Sequence, residues 1–169
     1  MADAPANDAP YRLISDVSFG ENVVVQAFTN LYGCRIGDQT RIGPFVEIQR
    51  GAVVGARCKI ESHTFICDGV EIGDEVFVGH GVVFINDKVP RATTPRGELQ
   101  TADDWTLECT VVEDRASLGS GAVILAGVRV GRAALVGAGA VVTRDVPEGA
   151  IVVGNPARPM EARVARSST

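Results

Sequence analysis

Residues 34–84 read CRIGDQTRIGPFVEIQRGAVVGARCKIESHTFICDGVEIGDEVFVGHGVVF. A large apolar residue returns every six positions through this stretch: Ile36, Ile42, Ile48, Val54, Ile60, Ile66, Ile72, Val78 and Phe84. A period of six is neither the 3.6 of a helix nor the alternation of a half-buried strand. It is the signature of a hexapeptide parallel β-helix, in which short strands meet at turns and three six-residue sides close one triangular coil. The position two before each repeat residue is small or β-branched: Cys34, Thr40, Val46, Ala52, Cys58, Thr64, Val70, Val76 and Val82. That position must point into a narrow prism, where a long side chain would overpack. Glycine often follows the repeat residue, as at Gly37, Gly43, Gly55, Gly73 and Gly79. These glycines read as the source of the positive φ that a tight corner demands.

The pattern resumes at Val112, Leu118, Ile124, Val130, Val136 and Val142, again with small residues two positions earlier. It extends backwards through Leu31, Val25 and Phe19, with one five-residue step from Leu31 to Ile36. The count is 18 hexads, or six coils. At the usual strand spacing such a prism stands about 29 Å tall. From Phe84 to Val112 the step is 28 residues instead of six, so 22 residues leave the prism as a loop near residues 85–107. A loop of this length in a compact repeat protein is usually functional or disordered. It holds the chain's one tryptophan, Trp105, which with Leu99 is expected to pin it against a neighbouring prism.

The 169 residues read as one domain over 11–158, flanked by a disordered arm at 1–10 and a C-terminal tail at 159–169. The net charge of −5 argues against a nucleic-acid surface. No apolar run reaches the length of a membrane span. The N-terminal residues lack the basic and apolar regions of a secretory leader. The four cysteines follow neither a zinc nor a disulfide spacing, and Cys34 and Cys58 fall at the small inward position. Free structural thiols fit a reducing, cytoplasmic setting.

Stacking arithmetic assigns neighbours to the loop. Asp68 lies 18 residues before Asn86, hence one coil below it at the same corner. His80 lies six before Asn86, and His63 lies 17 before His80. This arithmetic predicts both histidines close to the loop root.

The stretch Val78-Gly79-His80-Gly81-Val82-Val83-Phe84-Ile85-Asn86-Asp87-Lys88-Val89-Pro90-Arg91-Ala92 resembles the loop root of N-acetyltransferases acting on nucleotide-linked amino sugars. These are left-handed parallel β-helix enzymes that acetylate a 3-amino group on a dTDP- or UDP-sugar. The later runs Ala126–Gly131, Val136–Pro147 and Val153–Arg158 resemble the acetyl-CoA-binding coils of the wider hexapeptide-repeat acyltransferases. The match departs at Val89, where an aromatic residue is expected. The resemblance implies an all-β fold, a homotrimer of parallel prisms with active sites between subunits, acetyl-CoA as co-substrate and no metal. It implies Asn86 and His80 as catalytic residues and His63, Asp68, Asp87 and Arg91 as substrate contacts. It implies Ala126, Gly127, Gly137, Gly139, Arg144 and Arg158 as coenzyme contacts.

The chemistry fits those residue types. An attacking amine must be unprotonated, and with a pKa of about 8 a useful fraction already is. Positioning is then the first need, and an Asn86 amide oxygen can accept from the amine and aim its lone pair. His80 can act as base, or the departing thiolate can take the proton. Backbone N–H groups of glycine turns suit the developing oxyanion. Each residue also has a plain structural reading: Asn86 as a turn cap, His80 as a polar corner, Asp68 and Asp87 as solvated carboxylates, Arg91 as a loop anchor, Arg144 and Arg158 as surface charge. Three rivals stand beside the amine reading. One is an O-acetyltransferase of a small sugar, serine or antibiotic, or an acyl-carrier-protein-dependent relative. Another is a non-enzymatic assembly prism. The third is a carbonic-anhydrase-like zinc enzyme, which wants three histidine ligands where this chain has two.

Overall fold

The computed structural model describes residues 11–160. The expected arm at 1–10 and the tail residues 161–169 lie outside it. Twenty-one short strands, β1 to β21 in chain order, form three sheets that are the faces of a triangular prism. Face A stacks β1 (Arg12–Ser15), β4 (Thr29–Tyr32), β7 (Glu47–Ile48), β10 (Phe65–Ile66), β13 (Val83–Phe84), β16 (Val123–Ile124) and β19 (Val141–Val142). Face B stacks β2 (Ser18–Phe19), β5 (Arg35–Ile36), β8 (Val53–Val54), β11 (Val70–Ile72), β14 (Thr110–Val112) and β17 (Arg129–Val130). Face C stacks β3 (Val24–Val25), β6 (Arg41–Ile42), β9 (Lys59–Ile60), β12 (Phe77–Val78), β15 (Ser117–Leu118), β18 (Leu135–Val136) and β20 (Ile151–Val153). All of these pairings are parallel. β21 (Arg158–Pro159) then pairs antiparallel with β20, so the chain after Arg158 begins as a strand at the edge of face C.

The structure extends the 18 hexads at both ends. Ile14 pairs with Leu31 before the first. After Val142, Val146 bridges to Val130 and Val152 pairs with Val136, giving a seventh coil. The strands are short because each side has only six residues, yet their ladders continue through the corners. Lys59 N–H donates to Val76 O at 3.0 Å, and Phe77 N–H donates to Ala116 O at 3.0 Å. Nearly every corner-to-corner backbone group is paired this way, which removes the cost of burying it.

The interior is the two registers read from the sequence. Ile48, Ile66, Val78, Phe84, Leu118, Ile124 and Val130 are fully buried, as are Ala116, Ala122 and Ala140 two residues before a repeat position. Each large aliphatic removed from water contributes about 1.5–3 kcal/mol. The buried threonines are satisfied locally. Thr40 Oγ1 donates to Gly55 O at 2.8 Å and accepts from Cys58 N–H at 3.0 Å, while Thr64 Oγ1 donates to Gly79 O at 3.1 Å.

One expectation about the corners is corrected. The glycines that follow the repeat residues do not have positive φ. They are required by coil-to-coil contact: a Cβ on Gly37 would lie 2.5 Å from the carbonyl carbon of Gly55, and one on Gly119 would lie 2.4 Å from Ala138 N. Positive φ falls two residues later. At the corner between faces B and C it is carried by Asn22, Gln39, Arg57, Glu75, Arg115 and Ala133. Among the described residues no helix is long and apolar enough to cross a membrane.

Candidate active site at two corners of the prism

Asn86 follows β13 at the corner between faces A and B. Its Nδ2 donates to the backbone oxygen of Asp68 at 3.3 Å, so the 18-residue stacking of these two positions is realised. Asn86 Oδ1 makes no hydrogen bond among the described residues. The side chain is half-buried, and its amide is held by one end with the acceptor end open. Asp68 itself is half-buried, lying over the left-handed turn at Gly51, where a Cβ would meet its Oδ1 at 2.2 Å.

The loop leaves the prism here and is internally built. Asp87 Oδ1 accepts from Val89 N–H at 2.8 Å, a turn closed by the side chain. Lys88 pairs with Glu108 across the neck, directly over Gly127, whose absent Cβ would strike that carboxylate. Glu108 N–H reaches back to Asn86 O at 3.3 Å. Farther out, Thr94 N–H donates to Glu98 O at 2.8 Å in a small hairpin. A 3₁₀ turn at Ala102–Asp104 follows. The Thr101 N–H and hydroxyl both donate to Asp104 Oδ2, at 2.8 and 2.9 Å, holding that carboxyl below its ordinary range. Leu107 packs over Gly69, and Leu99 is 78% exposed. Arg91 is exposed, with its Nη1 on the oxygen of Pro90.

The histidines are elsewhere. His63 and His80 lie at the corner between faces C and A, whereas Asn86 lies at the other end of face A. A step of six residues moves one full side of the triangle, about 20 Å of extended chain. The expectation that both histidines meet the loop root is therefore corrected: within one chain they do not. A step of 18 returns to the same corner, and a step of six does not.

At its own corner His80 is embedded in a polar set. Its Nδ1 is 3.0 Å from Ser62 Oγ, its Nε2 is 4.0 Å from Glu61 Oε2, and its backbone N–H donates to Ser120 Oγ at 3.2 Å. Sequence reasoning passed over Ser62 and Glu61, although Ser62 lies 18 before His80 and was open to the same arithmetic. His63 is exposed and stacks on Phe45, ring centroids 4.8 Å apart.

The coenzyme candidates divide between the same two corners. Ala126, Gly127 and Arg144 continue the loop corner above Asn86, whereas Gly137 and Gly139 continue the histidine corner above His80. Arg144 and Arg158 do come together, lining one small recess at the end of the prism with Pro147 and Pro159. Gly139 has φ 68° and a Cβ there would meet nothing within 4 Å. The backbone does not require glycine there, since Phe45 holds φ 58° at the same corner. Among the described residues no three metal-ligating side chains cluster.

Two family models match the chain. Bacterial transferase hexapeptide (six repeats) matches residues 33–68 and 51–86, and the hexapeptide repeat of succinyl-transferase matches residues 109–144. Among curated proteins, the bifunctional protein GlmU of Heliobacterium modesticaldum is 34% identical over 158 residues, covering 85% of this chain and 31% of that protein. GlmU of Alkalilimnicola ehrlichii is 31% identical over 166 residues, covering 88% and 32%. The chain thus spans about a third of the length of these relatives. Among solved structures, a mutant of AntD, an N-acyltransferase from Bacillus cereus in complex with dTDP and coenzyme A, superposes with a TM-score of 0.74 at 20% identity, covering 86% of this chain and 83% of that one. At that identity the likeness is one of fold. A hexapeptide-repeat acetyltransferase from Vibrio cholerae O1 biovar eltor, complexed with acetyl coenzyme A, gives 0.58 at 27% identity, covering 85% and 69%. PerB from Caulobacter crescentus, in complex with coenzyme A and GDP-perosamine, gives 0.58 at 21% identity, covering 88% and 57%.

Proposed function

The chain belongs to the hexapeptide-repeat acyltransferases, and on that premise we propose that it transfers an acetyl group from acetyl-CoA to the amino group of a nucleotide-linked amino sugar. The observation that carries this reading is Asn86. Its Nδ2 is tied to Asp68 O, and its Oδ1, at the root of a long loop, has no hydrogen-bond partner among the described residues. That oxygen accepts an N–H of the substrate amine and turns the amine's lone pair toward the thioester carbon. An amide cannot take a proton, so this arrangement serves a nucleophile that needs orientation more than a base. Solved proteins of the same fold carry dTDP with coenzyme A, and GDP-perosamine with coenzyme A, which supports a nucleotide sugar as acceptor.

In the proposed assembly, prisms pack side by side so that the loop corner of one copy meets the histidine corner of another. The separation of Asn86 from His80 in a single chain supports this, because the two sets share one site only across a subunit boundary. Asp68, Asp87 and Arg91 then bound the sugar and phosphate end with His63 of the facing copy. Gly139, whose Cβ position is open, leaves room for the pantetheine arm beside Gly137, which packs under Val153 and offers only its backbone, and Arg144 with Arg158 meets coenzyme phosphates.

The amine attacks the thioester carbon, the tetrahedral oxyanion collapses, and the carbon–sulfur bond breaks. The amine's proton goes to the departing thiolate or to His80. Steady-state kinetics on an Asn86→Ala variant with an intact assembly test the reading: kcat/KM falls by about a hundredfold or more, and near-native activity removes the assignment. A second reading, O-acetylation, is favoured by Glu61 and Ser62 around His80, since a hydroxyl needs a stronger base than an amine. His80→Asn separates them: a modest loss supports the amine, a collapse of kcat supports the hydroxyl.

A further inference from the structure

Along the corner between faces C and A, one ring projects per coil from a residue with left-handed backbone: Tyr11 (φ 75°), Phe28 (61°), Phe45 (58°) and His63 (63°). The rings form a column. Successive centroids are 5.1, 5.1 and 4.8 Å apart, with interplanar angles of 14°, 7° and 24°. This is the coil spacing of about 4.8 Å, so the helix itself sets the pitch of the stack. The next rung belongs to Gly81, which keeps the same backbone conformation, φ 65°, and carries no ring. A Cβ built there meets no heavy atom within 4 Å. The backbone does not require glycine at this place, because the three coils below hold the same φ with Phe, Phe and His. The column therefore stops at the exposed His63 imidazole, and the space above it stays open past Gly81, since the next rungs at this corner, Gly121 and Gly139, carry no side chain either. Hydrogen-bonding groups edge the same corner: Ser62 Oγ at 3.0 Å from His80 Nδ1, and Glu61 beyond.

We propose that this open rung is a base-binding site, in which a planar nitrogen heterocycle, the base of the nucleotide, stacks on His63. The inference rests on the nucleotide-sugar reading above and adds where the base lies. A flat ring on His63 continues the column at its own pitch. The donors and acceptors of Ser62, His80 and Glu61 suit the polar edge of a base, which an aliphatic occupant would leave unmet. The role of His63 is then carried by its face and not by its nitrogens.

Calorimetric titration of the full-length protein with dTDP, UDP and inorganic pyrophosphate tests this. Gly81→Phe fills the rung with a side chain this corner already accepts. It should lower the melting temperature by no more than a few degrees, through its left-handed backbone, and keep acetyl-CoA affinity while weakening dTDP and UDP by about tenfold or more. Pyrophosphate, which has no base, should bind the variant and the wild type alike. His63→Ala should weaken both nucleotides similarly, and His63→Phe should restore them. Wild-type nucleotide affinity in Gly81→Phe, or a His63→Phe loss equal to that of His63→Ala, overturns the proposal and leaves the nucleotide-sugar reading standing. A Gly81→Phe variant that changes oligomeric state without changing nucleotide affinity shows that a second copy fills the rung, and also overturns it. Failure of the wild type to bind either nucleotide overturns both.

Discussion

Asn86 has an acceptor without a partner among the described residues and a donor with one, so its orientation is fixed before any substrate arrives. The proposed role needs that fixed state. An Asn86→Asp variant keeps the shape but loses the N–H that holds it to Asp68 O, so its kcat/KM should fall nearly as far as that of Asn86→Ala. The cysteines give a second residue-scale prediction. Cys34, Cys58 and Cys67 are buried and Cys109 is exposed. Burial pushes the thiols of Cys34 and Cys67 up to about 11 from an ordinary 9.0. The folded state thus favours the neutral thiol. That contribution is fully present below pH 9 and is lost as pH rises through about 11. Iodoacetamide on the native protein at pH 8 should add one label, at Cys109, and four after denaturation, read by mass spectrometry. A native label on Cys34 or Cys67 would contradict the packed interior.

At the scale of the coil, the two kinds of glycine separate cleanly. Gly119 has ordinary φ but no room, with its Cβ position 2.4 Å from Ala138 N. Gly121 has φ 70° but room, its nearest atom lying 4.0 Å away. Gly119→Ala should therefore cost about 1–3 kcal/mol through overpacking, and Gly121→Ala only about 1 kcal/mol or slightly more through its backbone. Urea unfolding midpoints measure the order, and equal costs would contradict it. The loop is a different kind of element. Its contacts run mainly within itself and to the neck formed by Lys88, Glu108 and Leu107. Replacing residues 89–106 by a short glycine linker, which keeps Lys88, Leu107 and Glu108, should leave the circular dichroism and melting temperature of the prism nearly unchanged. The same change should abolish transfer to the sugar acceptor. The loop's departure point and its Asp68 neighbour were legible because both follow from the six-residue count. Its hairpin, its capped turn and its ion-paired neck were not, because no period governs them.

Over the whole molecule the three faces differ in chemistry. The outward residues of face B alternate in kind: Arg35, Glu71 and Arg129 are charged, the last paired to Glu113, with Val53 and Val111 between them. The upper part of face C instead exposes Phe77, Leu135 and Ile151, and face A presents Phe65, Val83, Val123 and Val141. The apolar pair of faces flanks the histidine corner, which suits contact between copies there. Sedimentation equilibrium should give three copies, and Leu135→Glu should shift the protein toward single chains. A monomeric wild type would end the shared-site reading.

The sequence by itself determined the triangular section, the inward and outward sense of nearly every residue from Phe19 to Phe84 and from Val112 to Val142, and the place where the loop leaves. It could do so because each side of the coil is a local unit of six residues whose burial depends only on its phase. The tertiary structure decided what the phase cannot express. Positions six apart have the same phase and yet lie a full face apart, so His80 and Asn86 look equivalent in the chain and are separated in space. Closing three corners into a column also brought Tyr11, Phe28, Phe45 and His63 into one stack and left the rung at Gly81 open. That contact exists only between coils, where the strand spacing, and not the order of residues, sets the distance.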